Sequence, residues 1–92
     1  MKLTEKCIAI LIETERLGRI NPQQAGMILR PDGRKEGGHP FRAQGLGYLG
    51  GGYLGKLRKL GLLRPAGKFD EIISYWSLTP KALLILQKVR AS

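Results

Sequence analysis

The chain has 92 residues, enough for one domain with a modest core and too few for a dinucleotide-binding sheet joined to a substrate domain. Residues 1–40 hold seven basic and five acidic residues, whereas residues 41–92 hold nine and two, within a formal net charge of +9. This asymmetry favours a phosphate-bearing partner, most simply a nucleic acid, over an acidic membrane or an acidic protein. A soluble basic protein without such a partner is the alternative.

The N-terminal segment and the single cysteine exclude several classes of protein. Cys7 alone cannot form an internal disulfide or a zinc site with several cysteine ligands. It lies among apolar residues of a predicted helix, so we expect a core residue rather than a redox group. The apolar run there is only six residues long and ends in acids, unlike a signal peptide or a membrane span. We expect a cytoplasmic protein without membrane attachment.

Two helices are predicted in the first third of the chain. The first spans residues 3–17, where Thr4 is a suitable N-cap and apolar residues recur at steps of three and four until Gly18. The second spans residues 22–30 and opens with an asparagine followed by proline, a common helix start. Residues 31–40 contain four charges and three glycines, and they are predicted to form an exposed loop.

A third helix is predicted over residues 43–60 despite its many glycines. Its leucines fall within one broad apolar stripe when the chain turns by 100° per residue. Each interior glycine costs a helix about 1 kcal/mol relative to alanine, so the missing side chains call for an explanation. Gly47 and Gly50 lie near the stripe and suit close packing of two helices. Gly51, Gly52 and Gly55 point outward and suit close approach to a DNA groove. An irregular helix, or one that starts near Gly51, is the alternative.

The spacing of Gly45, Gly47 and Gly50 also matches the GxGxxG motif of dinucleotide-binding proteins. That motif binds phosphate where a strand precedes it, a helix follows within a βαβ unit, and an acid lies about 20 residues further on. Here a polar loop precedes the glycines and only two strands are predicted. No Gly-Lys-Ser or Gly-Lys-Thr sequence occurs either. The sequence therefore predicts no nucleotide cofactor.

The last third of the chain is predicted to contain a hairpin and a helix. Residues 62–78 form two antiparallel strands, in which Trp76 faces inward and Tyr75 faces outward, free to meet a partner. Thr79 followed by proline then opens a helix over residues 80–90. The fold class is mainly α with a small β-hairpin (α+β), in the order helix, helix, helix, strand, strand, helix.

Two segments of this region, LGKLRKLGLLRP and YWSLTPKALLIL, resemble the MarR-like and PadR-like winged helix-turn-helix regulators. The resemblance covers about residues 44–86 and consists of packing positions rather than chemical ones. Its positions are Leu54, Leu57, Gly61, Leu62, Arg64, Trp76, Leu78 and Thr79. The resemblance implies a single winged helix-turn-helix domain whose third helix enters the major groove of DNA by its N-terminal half.

This resemblance also implies which residues meet DNA. Gln44 and Tyr48 would lie nearest the base edges, and glutamine can bind adenine through two hydrogen bonds. Basic residues of the helix and of the wing would hold phosphates. Asp70 and Glu71 at the wing tip depart from a strongly basic wing and argue against minor-groove insertion. The predicted DNA-binding residues are Arg42, Gln44, Tyr48, Gly51, Gly52, Lys56, Lys59, Arg64 and Lys68.

The last helix has more leucine than a small domain is expected to cover. With Leu83, Leu86 and Val89 on one face, Leu84 and Ile85 are left over and would expose an apolar strip unless something covers it. We expect a homodimer whose interface includes Leu84, Ile85 and Lys88, as in two-fold regulators. A monomer in which the last helix packs across the first is the alternative.

The sequence contains no pattern of residues that is typical of an active site. His39 stands in the predicted loop without a nucleophile or an orienting partner. Glu13 and Glu15 are two residues apart on a helix and point in different directions. We expect no enzyme, no metal, no cofactor and no small-molecule substrate. The leading hypothesis is a sequence-specific regulator of transcription that binds double-stranded DNA. The alternatives are a winged-helix module for protein or RNA, and a plasmid or phage replication or segregation factor.

Overall fold

The computed structural model describes residues 3–31, 43–69 and 73–91, without the side chains of residues 43, 44, 68, 69, 73 and 74. It is mainly helical with one antiparallel two-stranded sheet, which confirms the α+β class. The elements are α1 (Glu5–Leu17), α2 (Pro22–Leu29), α3 (Ala43–Lys59), β1 (Leu63–Phe69), β2 (Ile73–Leu78) and α4 (Pro80–Ala91).

Short-range sequence signals set the ends of α1 and α2. Thr4 caps α1, because its hydroxyl oxygen accepts the backbone N–H of Cys7 at 3.2 Å. Gly18 ends α1 with a φ of 86°, a conformation that favours glycine, and its N–H bonds to the carbonyl of α1 one turn earlier. Asn21 and Gln24 form a reciprocal capping box at the start of α2. The predicted caps of both helices are therefore confirmed.

Helices α2 and α3 pack backbone against backbone at two glycines. A Cβ atom on Gly50 would lie 2.6 Å from the backbone nitrogen of Gly26 and 2.9 Å from the Cβ of Ala25. A Cβ on Gly26 would collide with the carbonyl group of Leu46. Gly50 therefore serves helix packing, as its position near the apolar stripe predicted. Gly26 was not singled out from the sequence, since a lone glycine in a short helix carries no such signal.

The core lies where the helices and the hairpin converge. Its largest fully buried side chains come from α1, from α3, from the α1–α2 and α3–β1 connections, and from α4. The one buried polar residue of the described core, Thr14, donates its hydroxyl hydrogen to the carbonyl of Ile10 at 2.6 Å. The fully buried side chains are Cys7, Ile10, Leu11, Thr14, Ile20, Leu54, Leu57, Leu62 and Leu86. Cys7 is thus a core residue, as predicted.

The hairpin is joined to the helices by a contact that the sequence did not predict. Ile20, between α1 and α2, exchanges two backbone hydrogen bonds of 2.8 Å with Trp76 of β2. It acts as a third strand of one residue. A single residue gives no alternating pattern, so this pairing could not be read from the sequence. Trp76 is half-buried against the core, in keeping with its predicted inward orientation.

Hydrogen bonds join the start of α4 to the segment that follows α3. The Thr79 hydroxyl accepts the N–H of Ala82 at 3.3 Å and donates to the carbonyl of Gly61 at 2.6 Å. The ammonium group of Lys81 donates to the carbonyl of Leu60 at 3.0 Å. These bonds satisfy carbonyl groups at the α3 terminus, which have no partner within their own helix. They also fix which face of α4 meets the core.

That orientation corrects two predictions about α4. Ile85, expected on a leftover strip, packs against the core, and Leu83, expected on the packed face, is 40% exposed. Helix α4 lies against α1, where Arg90 forms an ion pair with Glu15. The contact between the last and first helices, considered as the alternative to a dimer, is therefore present within one chain. Leu84 remains 59% exposed.

Candidate nucleic-acid interface

The outward face of α3 is a strip of nearly bare backbone. Tyr48, Gly52, Gly55 and Lys59 follow one another at steps of four, three and four residues, which places them on one side of the helix. A Cβ atom on Gly52, which is exposed, or on Gly55, which is half-buried, would meet no described atom within 4 Å outside its own stretch of α3. Tyr48, 74% exposed, stands at the N-terminal end of this strip, and Lys59 stands at its C-terminal end. We call these four residues the glycine strip.

Gly51 lies outside the glycine strip. The sequence placed it on the outward face, but it is half-buried, and a Cβ there would lie 3.9 Å from the Cβ of Pro22 in α2. Gly47 is similar, with the Cγ of Gln23 at 3.7 Å from its Cβ position. Both glycines border the contact between α2 and α3. Gly52, by contrast, is exposed where the sequence predicted it.

Every charged residue that the structure describes from α3 onward is basic. Residues 43–69 and 73–91 contain no acidic residue. Lys56, Lys59 and Arg64 are exposed, and none of them has an ion-pair partner among the described residues. These three side chains were predicted from the sequence to contact phosphates.

The described acids all lie on α1. They are Glu5, Glu13 and Glu15. Glu13 pairs with Arg16 of the next turn, and this hydrogen-bonded guanidinium holds the pKa of the Glu13 carboxyl below its usual value. Glu15 pairs with Arg90 of α4. Negative charge in the described structure is thus confined to α1 and partly neutralised there.

Two arginines cover the aromatic residues of β2. The guanidinium of Arg58 lies 5.2 Å from the ring centre of Trp76, and that of Arg19 lies 4.1 Å from the ring centre of Tyr75. Tyr75, predicted to be free to meet a partner, therefore already contacts Arg19 within the chain. Arg19 was not singled out from the sequence. It lies far from Tyr75 along the chain, and only the Ile20 bridge to β2 brings the two together.

Several predicted site residues lie outside the described part of the structure. Arg42 is one of them, and His39, Asp70 and Glu71, which were considered in the sequence but not assigned to a site, also lie outside it. Gln44 belongs to α3 and Lys68 to β1, but their side chains are not described.

A shallow groove of about 400 Å³ runs along one edge of the glycine strip. Gly52 and two tyrosines are among the residues that line it. Its lining residues are Thr4, Tyr48, Leu49, Gly52, Tyr53 and Lys56.

Within the described ranges, no group of three or more His, Cys, Asp or Glu residues lies close enough together to bind a metal ion. None of the described helices combines the length and apolar character needed to cross a bilayer.

Comparisons of the chain with protein-family models, with curated proteins and with solved structures find no match. Function must therefore be argued from the geometry and charge of the surface that α3 and the hairpin present.

Proposed function

We propose that the chain is a winged helix-turn-helix domain that binds double-stranded DNA through α3, and that it regulates transcription by occupying its binding site. The observation that carries this proposal is the glycine strip, a helix face on which Cβ positions at Gly52 and Gly55 are open and beside which Lys56 and Lys59 have no ion-pair partner among the described residues. No packing contact within the described structure accounts for the absence of side chains at Gly52 and Gly55.

The dimensions of α3 suit the major groove of DNA. A helix with its side chains is about 10–12 Å across, and the major groove of B-DNA is about 12 Å wide. Removing side chains from the leading face lets the helix backbone approach the groove floor more closely. Lys56 and Lys59 then lie where long side chains can reach the phosphates, and Tyr48 lies toward the N-terminal end that usually meets base edges.

The stability cost of the strip also supports a role in binding. Glycine at an interior helix position is less favourable than alanine by about 1 kcal/mol. Gly50 offsets this cost by allowing α2 to approach, whereas Gly52 and Gly55 have no such contact in the described structure. Residues that lower stability without a packing purpose are typical of functional surfaces.

The surrounding fold holds α3 as a rigid element. The contact at Gly26 and Gly50 fixes α3 against α2, and the Ile20 bridge fixes the hairpin to the α1–α2 connection.

The order of the elements also supports the proposal, because three helices with a hairpin after the third fit the winged-helix arrangement. The connection between α2 and α3, residues 30–42, is longer than the turn of about three or four residues in a simple helix-turn-helix.

The test is a titration of fluorescent duplex DNA of random sequence at several salt concentrations between about 50 and 200 mM. We expect binding whose log affinity falls linearly with log salt. Replacing both Lys56 and Lys59 with glutamine should reduce the slope by about 2, because two phosphate contacts are lost. Replacing both Arg16 and Arg90 with glutamine removes the same charge from side chains that are paired with acids of α1, and this matched control should leave the slope unchanged.

The same titration separates DNA from the alternative partners. Absence of binding at low salt would remove the DNA proposal. Equal or tighter binding of an RNA duplex would favour the RNA-binding alternative, because the major groove of A-form RNA is too narrow to admit α3. Selection of bound duplexes from a random library then tests whether binding is sequence-specific, as a regulator requires.

A further inference from the structure

The register of the hairpin divides its residues between two faces. Leu63 pairs with Leu78, and this pair faces the core. Directly opposite residues share a face and successive residues alternate, so the next pair along, Arg64 with Ser77, points away from the core. Tyr75, two residues before Ser77 on β2, lies on this same outer face. We call it the outer hairpin face.

Arg19 joins the outer hairpin face from another part of the chain. Its guanidinium lies 4.1 Å from the ring centre of Tyr75. The residue opposite Tyr75 is Gly67, at a bulge in β1, where φ is 126° and a Cβ would lie only 3.7 Å from a terminal nitrogen of Arg19. The bridge between Ile20 and β2 fixes the backbone next to Arg19. The arginine is thus held in place by an aromatic ring and an adjacent backbone anchor.

Two arginines, Arg19 and Arg64, lie on the outer hairpin face. Arg19 and Arg64 are exposed, and neither forms an ion pair with a described acid. A guanidinium that stacks on an aromatic ring uses its flat face, and its N–H groups stay directed outward along the edge. Such edges bind phosphate oxygens in a bidentate manner. Because Tyr75 restrains Arg19, less side-chain entropy is lost when the arginine binds an anion.

We infer that the outer hairpin face is a second phosphate-binding surface, at which Arg19 and Arg64 hold the phosphodiester backbone of the DNA that α3 engages. Tyr75 is a positioning residue that keeps the Arg19 guanidinium in place. This inference rests on the proposed function. It adds a binding residue, Arg19, in the α1–α2 connection.

The experiment measures the salt dependence of duplex binding for single variants of the intact chain. Arg19→Gln and Arg64→Gln are each expected to lower affinity about tenfold at low salt and to reduce the slope of log affinity against log salt by about 1. Arg19→Lys should restore the slope, because it keeps the charge. Arg16→Gln, which removes an exposed arginine of α1 that pairs with Glu13, is the matched control and should leave the slope unchanged.

Variants of Tyr75 test its positioning role. Tyr75→Phe keeps the ring and should bind DNA like the parent, whereas Tyr75→Leu should lower affinity about threefold or more, since Arg19 then loses its restraint and must be immobilised when it binds phosphate. Thermal unfolding of each variant checks that the fold is retained. A purely structural role for Arg19 would change the unfolding temperature without changing the salt slope.

The outcomes separate this inference from the proposed function. If the parent binds DNA and depends on Lys56 and Lys59, but Arg19→Gln and Arg64→Gln keep the parental slope, the outer hairpin face is not a phosphate site and the proposed function stands. If Arg16→Gln reduces the slope as much as Arg19→Gln, the effect is one of net charge and the inference is overturned. If the parent binds no duplex, both proposals fail.

Discussion

Alanine substitutions in α3 separate the glycine that packs against α2 from two glycines whose Cβ positions are open. Gly52→Ala and Gly55→Ala place a methyl group where no described atom lies within 4 Å. Each should therefore gain most of the helix propensity difference, about 1 kcal/mol in the free energy of unfolding. In a domain of this size, a gain of 1 kcal/mol raises the unfolding temperature by about 4–8 °C.

Gly50→Ala is the matched control within the same helix. Its methyl group would lie 2.6 Å from the Gly26 nitrogen, so α2 and α3 must separate. Overpacking of this kind costs about 1–3 kcal/mol, and more where the obstacle is backbone rather than a mobile side chain. The propensity gain of about 1 kcal/mol offsets only part of that loss. We expect Gly50→Ala to unfold at a lower urea concentration than the parent.

Urea unfolding and duplex titration of the same variants provide the assay. The double variant at Gly52 and Gly55 should be more stable than the parent and should bind DNA at least tenfold more weakly, since two methyl groups hold the helix away from the groove. Loss of stability in the Gly52 and Gly55 variants, comparable to that of Gly50→Ala, would refute the assignment of an open strip. Unchanged DNA affinity alongside a gain in stability would refute its role in binding.

Two further predictions concern α4. Thr79→Ala removes both the helix cap and the hydroxyl bond to the Gly61 carbonyl, so it should lower the free energy of unfolding by about 2 kcal/mol in urea. Thr79→Ser should retain most of that stability, and equal losses in both variants would contradict the hydrogen-bond account. The homodimer remains a prediction, in which the exposed Leu84 is the apolar contact. Sedimentation equilibrium should show a parental dimer that Leu84→Gln converts to monomer, and a monomeric parent at about 100 µM would contradict it.

The helices, their caps and the order of the elements could be predicted from the sequence. Apolar residues at helical spacing, with Thr4, Asn21 and Thr79 as caps and Gly18 as a stop, predicted the helices and their order. These signals act between residues a few positions apart, so they can be read without knowing the neighbours in space. The concentration of basic residues after residue 40 likewise follows from the sequence.

The candidate site depended on tertiary structure. Helical spacing gives each glycine an angle around α3, but only the position of α2 decides that Gly50 is covered, that Gly51 borders the contact and that Gly52 is open. In α4, the rotation set by bonds to the end of α3 decides that Ile85 is packed and Leu83 exposed.

The pairing of Arg19 with Tyr75 shows the same division most clearly. The two residues lie more than fifty positions apart, and Arg19 belongs to no motif of the sequence. The bridge from Ile20 to β2 brings them within 4.1 Å. The sequence by itself determined the elements and the sign of the surface charge, because propensity, capping and charge belong to residues and their close neighbours. Tertiary structure alone decided which backbone is bare and which arginine lies on which ring, because such contacts depend on how distant elements are packed together.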